Sequence, residues 1–364
     1  MNMNSKHGGN IYRKAKELNI PESQILDFSA NVNPLGLPDF IRQSLTASID
    51  GVINYPDPDC MELTEALADF HGTPPSFVLC GNGGADLLFR LAYGLRPKRV
   101  LLAVPAFVEY EEAMRAGRAS IDYYPMGEDL CIHEDLEDRI GEGTDLLVLC
   151  NPNNPTGLLT ERELIRKLLG RGMETGTRVL VDECFLDLCD DPESYSLIPE
   201  LKEFPNLLIL KSFTKLYAVP GIRLGYLLGS DTDLLAAVRD AGQAWSVSWP
   251  AQCAGIAALR ERDYRDRVVR LISRERDYMI GELEKMPLKV YRGTANYLFF
   301  RAPGMEDLDR RLEDYGIMIR NCSNYVNLGR DYWRVAVRYH EENRRLLKAM
   351  REIFQINDKD EEGV

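Results

Sequence analysis

The stretch Ser212-Phe213-Thr214-Lys215-Leu216-Tyr217-Ala218-Val219-Pro220-Gly221-Ile222-Arg223-Leu224-Gly225-Tyr226 follows an apolar, strand-like run at 207–210 and sets one lysine among small hydroxyls. A lysine is a useful amine only when burial or cationic neighbours lower its pKa. Its standard use is then a Schiff base with a carbonyl such as that of pyridoxal phosphate. Lys215 therefore reads as the reactive residue and Arg223 as its cationic neighbour. Ser212 and Thr214 offer hydroxyl donors, and Arg223 offers a planar fork that suits a phosphate. A single lysine in a turn is usually solvated surface, but this combination favours a phosphate-bearing cofactor.

Upstream, Arg178-Val179-Leu180-Val181 reads as a strand with Asp182 at its carboxyl end. A carboxylate is required there if a pyridine nitrogen is to stay protonated and make the ring an electron sink. An Asp capping the next turn is the plainer alternative. Residues 145–150 read as a short apolar strand ending in Asn151-Pro152-Asn153-Asn154-Pro155-Thr156-Gly157, where α/β enzymes present polar groups to a ligand. Thr160 and Glu163 read as a capping box for the helix that follows. Residues 99–104 form another expected strand, with Phe107 and Tyr110 in the loop or first helical turn after it; core packing is the ordinary role for Phe107.

Val78-Leu79-Cys80 leads into Gly81-Asn82-Gly83-Gly84-Ala85-Asp86 and then an apolar helix. Free N–H groups at such a helix start, together with its dipole, favour an anion. The junction is common in α/β folds and lacks P-loop spacing, but beside Lys215 it reads as a phosphate cradle. Tyr55 sits in a turn, where packing is its ordinary role. Residues 27–36 read as a loop whose Asn side chains, including Asn33, bond backbone. His7-Gly8-Gly9-Asn10 suggests a sharp turn or a close approach to ligand, against a disordered terminus.

Downstream, a helix at 234–241 is expected to close the large domain, with a break at Trp245-Ser246-Val247-Ser248-Trp249-Pro250. Residues 251–284 read as one charged connecting helical stretch whose acidic residues interleave with arginines. The remainder alternates strands at 296–300, 317–319 and 333–337 with helices at 307–315 and from 341. The last helix carries the apolar stripe Leu346, Leu347, Met350, Ile353 and Phe354. Arg320 and Arg334 read as anion clamps at strand ends, with Arg338 in reserve; surface ion pairing is the plainer role for most arginines here.

The pattern S-x-x-K-x-x-x-x-P-G-x-R-x-G, with every fixed position filled, resembles the lysine signature of aminotransferase-like, fold-type-I pyridoxal-phosphate enzymes. The resemblance runs from His7 to the last helix. It implies an α/β fold: a large domain with a mainly parallel sheet flanked by helices, plus a smaller α+β domain. We divide the chain into an N-terminal arm and loop at 1–44 belonging to the small domain, a large cofactor domain at 45–250, and a small domain with connecting helix at 251–364. The resemblance further implies pyridoxal 5′-phosphate held by Gly83, Gly84, Ala85, Ser212, Thr214, Lys215 and Arg223, with Phe107 flat on the ring, Asn154 at its O3′ and Asp182 at its nitrogen. Tyr55 is expected to reach the cofactor phosphate of a second subunit, making a homodimer with shared active sites. Phe185 departs from the tyrosine of many relatives and leaves Asn154 without its help. His7, Asn33, Asn154, Arg320 and Arg334 are expected at the substrate.

Within the family, His7 to Asn10, residues 27–36, Phe185, Arg320-Asn321-Cys322-Ser323-Asn324-Tyr325 and Arg334-Val335-Ala336-Val337-Arg338 look like the threonine-phosphate decarboxylases of cobalamin biosynthesis. The substrate is then a small phosphorylated amino acid. Histidinol-phosphate aminotransferases are the alternative, and a non-catalytic pyridoxal-phosphate binder is the alternative of another class. One methyl group is worth only about 1–3 kcal/mol in a pocket, so phosphothreonine and phosphoserine are not distinguished.

Bulk properties agree with a large intracellular enzyme. The 364 residues suffice for a sizeable core. Eight cysteines without a CxxC pair and four dispersed histidines suggest reduced thiols, a cytoplasmic location and no metal. Residues 1–10 lack an apolar signal core, and no membrane-length run occurs. A net charge of -13 disfavours nonspecific nucleic-acid binding, so an anionic substrate needs a local cationic pocket. Residues 357–362 read as a solvated acidic tail.

Overall fold

Short apolar runs such as Leu146–Cys150 and Leu207–Ser212 are buried almost throughout, as strands covered by helices on both faces must be. In the computed structural model, which describes residues 7–141, 143–261 and 263–356, these runs form the middle of a seven-stranded sheet. Its order is Val78–Gly81, Gly225–Gly229, Leu207–Ser212, Arg178–Asp182, Leu146–Cys150, Arg99–Val104 and Ser120–Pro125. Only Gly225–Gly229 runs antiparallel to its neighbours. Helices Gly84–Leu95, Val108–Ala116 and Thr232–Asp240 cover one face with Leu87, Leu91, Met114 and Val238. The other face is covered by Met61–His71, Arg162–Thr175 and Trp249–Arg260 with Leu63, Leu67, Leu168 and Ala254. Each such fully buried side chain contributes roughly 1.5–3 kcal/mol.

A second sheet of four antiparallel strands runs in the order Arg320–Asn321, Tyr332–Ala336, Tyr297–Arg301, Lys289–Tyr291. Its core joins Leu298, Phe300 and Trp333 to Leu346, Leu347 and Met350 of helix His340–Ile353, the stripe expected from their spacing. Helix Tyr264–Leu283 bridges the two bodies: Val268 and Ile272 pack in the large core, Met279 and Leu283 in the small one. The N-terminal arm is stitched to this second body by Leu26–Asp27, which pairs in parallel with Ile317–Met318. Among the described residues, no helix is long and apolar enough to cross a membrane, and no cluster of potential metal ligands occurs. All eight cysteines are free thiols.

Local details differ from the sequence expectations. The stretch 251–284 is two helices, and the first, Trp249–Arg260, begins inside the expected break because the Ser248 hydroxyl caps Ala251 N–H at 3.4 Å and Pro250 fits the first turn. The capping box at Thr160 and Glu163 does not form. Asn151 instead takes both backbone groups of Thr160, accepting its N–H at 2.8 Å and donating to its carbonyl at 3.0 Å. The strand expected at 317–319 is only Ile317–Met318, and a separate strand, Arg320–Asn321, follows in another sheet. Helices Ile11–Leu18 and Asp39–Ser48 went unanticipated; Asn10 caps the first through Arg13 N–H at 3.1 Å. The acidic run at 357–362 lies outside the described residues.

Parallel strands ending together leave a crevice at their carboxyl ends. Cys150, Asp182 and Ser212 all stand there. Gly225 is the register partner of both Gly81 and Ser212, so it holds the glycine turn beside the lysine turn. A Cβ on Gly225 would meet Gly84 N at 2.9 Å and Lys211 O at 3.0 Å, both backbone atoms. Gly225→Ala is therefore expected to destabilise the protein by roughly 1–3 kcal/mol, read as a lower denaturation midpoint; an unchanged midpoint contradicts this packing.

Candidate active site

Strand Leu207–Ser212 runs directly into the four-residue helix Phe213–Leu216. Ser212 starts that helix, its Oγ accepting from Thr214 N–H at 3.2 Å and lying 2.8 Å from Thr214 Oγ1. Asn33 holds the helix from outside: its N–H donates to Lys215 O at 3.3 Å, and its amide donates to Leu216 O at 2.6 Å and Tyr264 OH at 2.9 Å. Its amide oxygen accepts from Leu35 N–H at 3.0 Å. Asn33 thus acts on the lysine turn.

Two lysines lie four residues apart here, and their surroundings separate them. Burial disfavours the Lys211 ammonium, but Asp187 at 2.8 Å and Glu183 at 3.6 Å outweigh burial and hold its pKa up. Lys215 has its pKa lowered, first by burial and further by the charges of Arg334 and Arg223, against the opposing Cys184 and Asp182. Its Nζ lies 5.4 Å from the centroid of the Phe185 ring, itself edge-on to Tyr297. Lys215 is the amine suited to react; Lys211 ties neighbouring strand ends together.

Asp182 is buried at its strand end, accepting from Tyr110 OH at 2.6 Å and Cys184 N–H at 2.8 Å. Burial pushes its pKa up despite these bonds; a cationic ring nitrogen alongside would favour the ionised form. Tyr110 packs edge-on against Phe107, which stands at the start of helix Val108–Ala116. His7 comes to the same place, its ring 6.0 Å from Phe107 and its Nε2 3.4 Å from Glu109.

Gly83 (φ +84°) turns the chain into helix Gly84–Leu95, leaving the first backbone N–H groups, those of Gly84 and Ala85 included, free of intrahelical partners. A Cβ on Gly83 would lie 2.7 Å from Arg223 NH2, so the guanidinium fills the space beside the turn. With Ser212 and Thr214 at the adjoining strand end, these donors suit a phosphate, and Asp182 deeper in the crevice suits a protonated ring nitrogen. The residues present therefore fit a group with a phosphate, a pyridine nitrogen and a carbonyl within reach of Lys215. Tyr55 stands apart, 80% exposed and packed on Trp245 at 4.7 Å.

Arg320 and Arg334 are register partners on adjacent antiparallel strands, so both project from the same face, and they are 7% and 6% exposed. Arg334 donates to Asn154 Oδ1 and to Ser29 O, the latter at 3.2 Å, and stacks 5.3 Å from the Tyr297 centroid. With its amide oxygen toward the guanidinium, Asn31 accepts from Arg334 Nε and NH1 at 3.2 Å each. Arg320 donates to Asn324 Oδ1 at 2.7 Å and lies over the Tyr325 ring. No carboxylate among the described residues pairs with Arg334. A buried guanidinium such as Arg334 is costly without an anion. Arg338 is occupied elsewhere, by Asp27 O at 3.1 Å and Glu342 at 2.7 Å.

Sequence reading overlooked Ser29, Asn31, Tyr110 and Tyr325 as parts of the site. Tyr110 had a usable signal, since a buried carboxylate at Asp182 requires donors and Tyr110 follows Phe107 at helical spacing. Asn31 and Tyr325 sit inside quoted motifs, but Arg334 is 303 residues from Asn31 and Asn154 is 171 residues from Tyr325, beyond any local pattern.

Comparison with known proteins identifies the family. The family model described as aminotransferase class I and II matches residues 23–350. The threonine-phosphate decarboxylase of Salmonella typhimurium is 39% identical over 355 residues, covering 96% of this chain and 97% of that protein. Among solved structures, histidinol-phosphate aminotransferase from Clostridium acetobutylicum is 27% identical with a TM-score of 0.86, covering 91% of this chain and 99% of that one. L-threonine-O-3-phosphate decarboxylase from Porphyromonas gingivalis is 26% identical with a TM-score of 0.82, covering 91% and 100%. The chain belongs to the aminotransferase class I and II family.

Proposed function

We propose that this chain is a pyridoxal-phosphate-dependent decarboxylase that converts L-threonine O-3-phosphate to (R)-1-amino-2-propanol O-2-phosphate in cobalamin biosynthesis. The carrying observation is the pair of buried guanidiniums, Arg320 and Arg334, on neighbouring strands, with the charge of Arg334 acting on Lys215. Such a pocket suits a substrate with two anionic groups. Similarity to the Salmonella decarboxylase supports the same reading.

When bound, pyridoxal phosphate supplies the ring that accepts the electron pair of the broken Cα bond. Gly83, Gly84, Ala85, Ser212, Thr214 and Arg223 would hold its phosphate, Phe107 would pack against it, Asn154 would offer it a hydrogen bond, and Asp182 would favour its protonated nitrogen. Arg334 would grip the α-carboxylate and orient the Cα–carboxylate bond for cleavage. Arg320 takes the substrate phosphate, with His7 closing from the arm. Lys215 would supply the amine that holds the cofactor and would carry the proton that Cα gains when carbon dioxide leaves. Asn33 keeps Lys215 in place.

A homodimer with shared sites completes this reading. Ile49, Val52, Ile53, Tyr55, Met61 and Trp245 are all exposed, Ile53 at 85%, an apolar grouping of the kind that marks an interface. Tyr55 at its edge would reach the cofactor phosphate of a second copy. The cytoplasm remains the expected location.

Three outcomes are expected. Purified protein should be yellow, and Lys215→Ala should lose the borohydride-reducible link to the cofactor; a pyridoxyl group trapped on Lys211 or any other lysine contradicts the assignment. Arg334→Gln and Arg320→Gln should each lower kcat/KM for O-phospho-L-threonine by roughly ten- to a hundredfold, the scale of a lost charge-assisted contact of about 1.5–3 kcal/mol. Wild-type kinetics in either variant removes that arginine from the substrate site. Mixing inactive Tyr55 and Lys215 variants should restore part of the activity, whereas a fully active monomer in sedimentation excludes shared sites.

A further inference from the structure

The two arginines start from facing positions on neighbouring strands, so side chains of this length could converge on one anion. Tyr325 stands where it prevents that. Its ring lies under Arg320, whose Cζ is 5.6 Å from the ring centroid. Its hydroxyl lies 3.4 Å from Arg334 NH1 and 3.3 Å from Asn154 Oδ1. A single side chain therefore touches both anion clamps and the asparagine beside them. The hydroxyl contacts are long for such bonds, so the rigid ring carries more of the positioning than the hydrogen bonds do.

The ring is itself firmly held. Tyr325 is 4% exposed and packs with Leu130, Tyr291, Phe299 and Cys322. The backbone closes a turn around it, with Tyr325 N–H donating to Cys322 O at 3.0 Å and Leu328 N–H donating to Tyr325 O at 3.1 Å. Burial raises the pKa of the phenol, so its proton stays available for Asn154 while its oxygen accepts from Arg334. A guanidinium over an aromatic face also gains cation–π attraction.

We infer that Tyr325 is a positioning residue that fixes the separation of the Arg320 and Arg334 guanidiniums and thereby selects the spacing between the two anionic groups of the substrate. The favoured class is an α-amino acid with its phosphate on the β-carbon oxygen; one further methylene places the phosphate beyond Arg320. This inference rests on the proposed decarboxylase reading but makes a separate claim about chain length.

The test compares O-phospho-L-threonine, O-phospho-L-serine and O-phospho-L-homoserine as substrates of the holoenzyme, in wild type, Tyr325→Phe and Tyr325→Leu, with thermal midpoint and cofactor content checked for each. Wild type should prefer the two β-phosphorylated compounds. Tyr325→Leu should raise KM for both and lower the preference for O-phosphothreonine over O-phosphohomoserine by about tenfold, the scale of one misplaced charged contact. The ratio between phosphothreonine and phosphoserine, which share one spacing, should stay fixed. Tyr325→Phe, keeping the ring, should retain the chain-length preference. A loss of activity in Tyr325→Leu that is equal for all three compounds, or a Phe variant as unselective as the Leu variant, overturns the spacing role. If wild type releases no carbon dioxide, the decarboxylase reading fails by itself; the same preference is then read from the absorbance change of bound cofactor on titration with each compound, and equal affinities overturn the inference.

Discussion

In the seven-stranded sheet, strand Gly225–Gly229 runs against the other described strands, and the site depends on the register it imposes. Gly225 faces Gly81 on one side and Ser212 on the other. The free N–H groups of one helix start are thereby placed beside the hydroxyls and amine of the next turn, with too little room for even a methyl group between them. Arg223, two residues earlier in a left-handed conformation (φ +58°), turns its guanidinium onto Gly83. A lone glycine turn at a strand end is common, and a lone lysine is usually solvent-exposed. The close pairing of the two through one antiparallel strand concentrates phosphate donors around a reactive amine.

Electrostatics adds a second constraint from the smaller sheet. Lys215 is disfavoured as an ammonium by burial and by two arginines, one from each side of the crevice. Arg223 belongs to the large body, and Arg334 enters on the strand Tyr332–Ala336 of the small one. The same field that lowers the lysine pKa attracts an anionic substrate, so activating the amine and capturing the substrate use the same charges. The N-terminal arm contributes through backbone: Ser29 O accepts from Arg334, and Phe28 O accepts from Ala336 N–H at 2.8 Å. None of its described residues supplies a countercharge to Arg334, which leaves that guanidinium able to take a carboxylate.

Much of this was legible in sequence because the informative features are local. The lysine signature, the Gly-rich turn, the strand ending at Asp182 and the apolar stripe of the last helix each fall within about a dozen consecutive residues, and each has a period or composition of its own. Features depending on distant partners were not legible. The true start of helix Arg162–Thr175 was hidden because Asn151, across the loop, competes for the backbone of Thr160. The break at 245–250 concealed a helix start because the same Ser and Pro that interrupt a pattern also cap and open one. Asn33 was read as a substrate contact on its motif, whereas its amide is taken up by Leu216, Tyr264 and Leu35. Tyr325 lies within nine residues of both arginines, but its third partner, Asn154, is 171 residues away.

Overall architecture does not separate the two reactions this family places closest to the chain, since the aminotransferase and decarboxylase structures superpose with TM-scores of 0.86 and 0.82. Under the proposed function the distinction would lie in which Cα bond the arginines orient for cleavage. The most direct measurement supplies the purified, cofactor-loaded enzyme with O-phospho-L-threonine and, separately, with histidinol phosphate plus 2-oxoglutarate, following carbon dioxide and glutamate together. The account predicts carbon dioxide from the first mixture in step with substrate loss and little glutamate from the second. Rapid glutamate formation from histidinol phosphate, with no carbon dioxide from O-phosphothreonine, would contradict it.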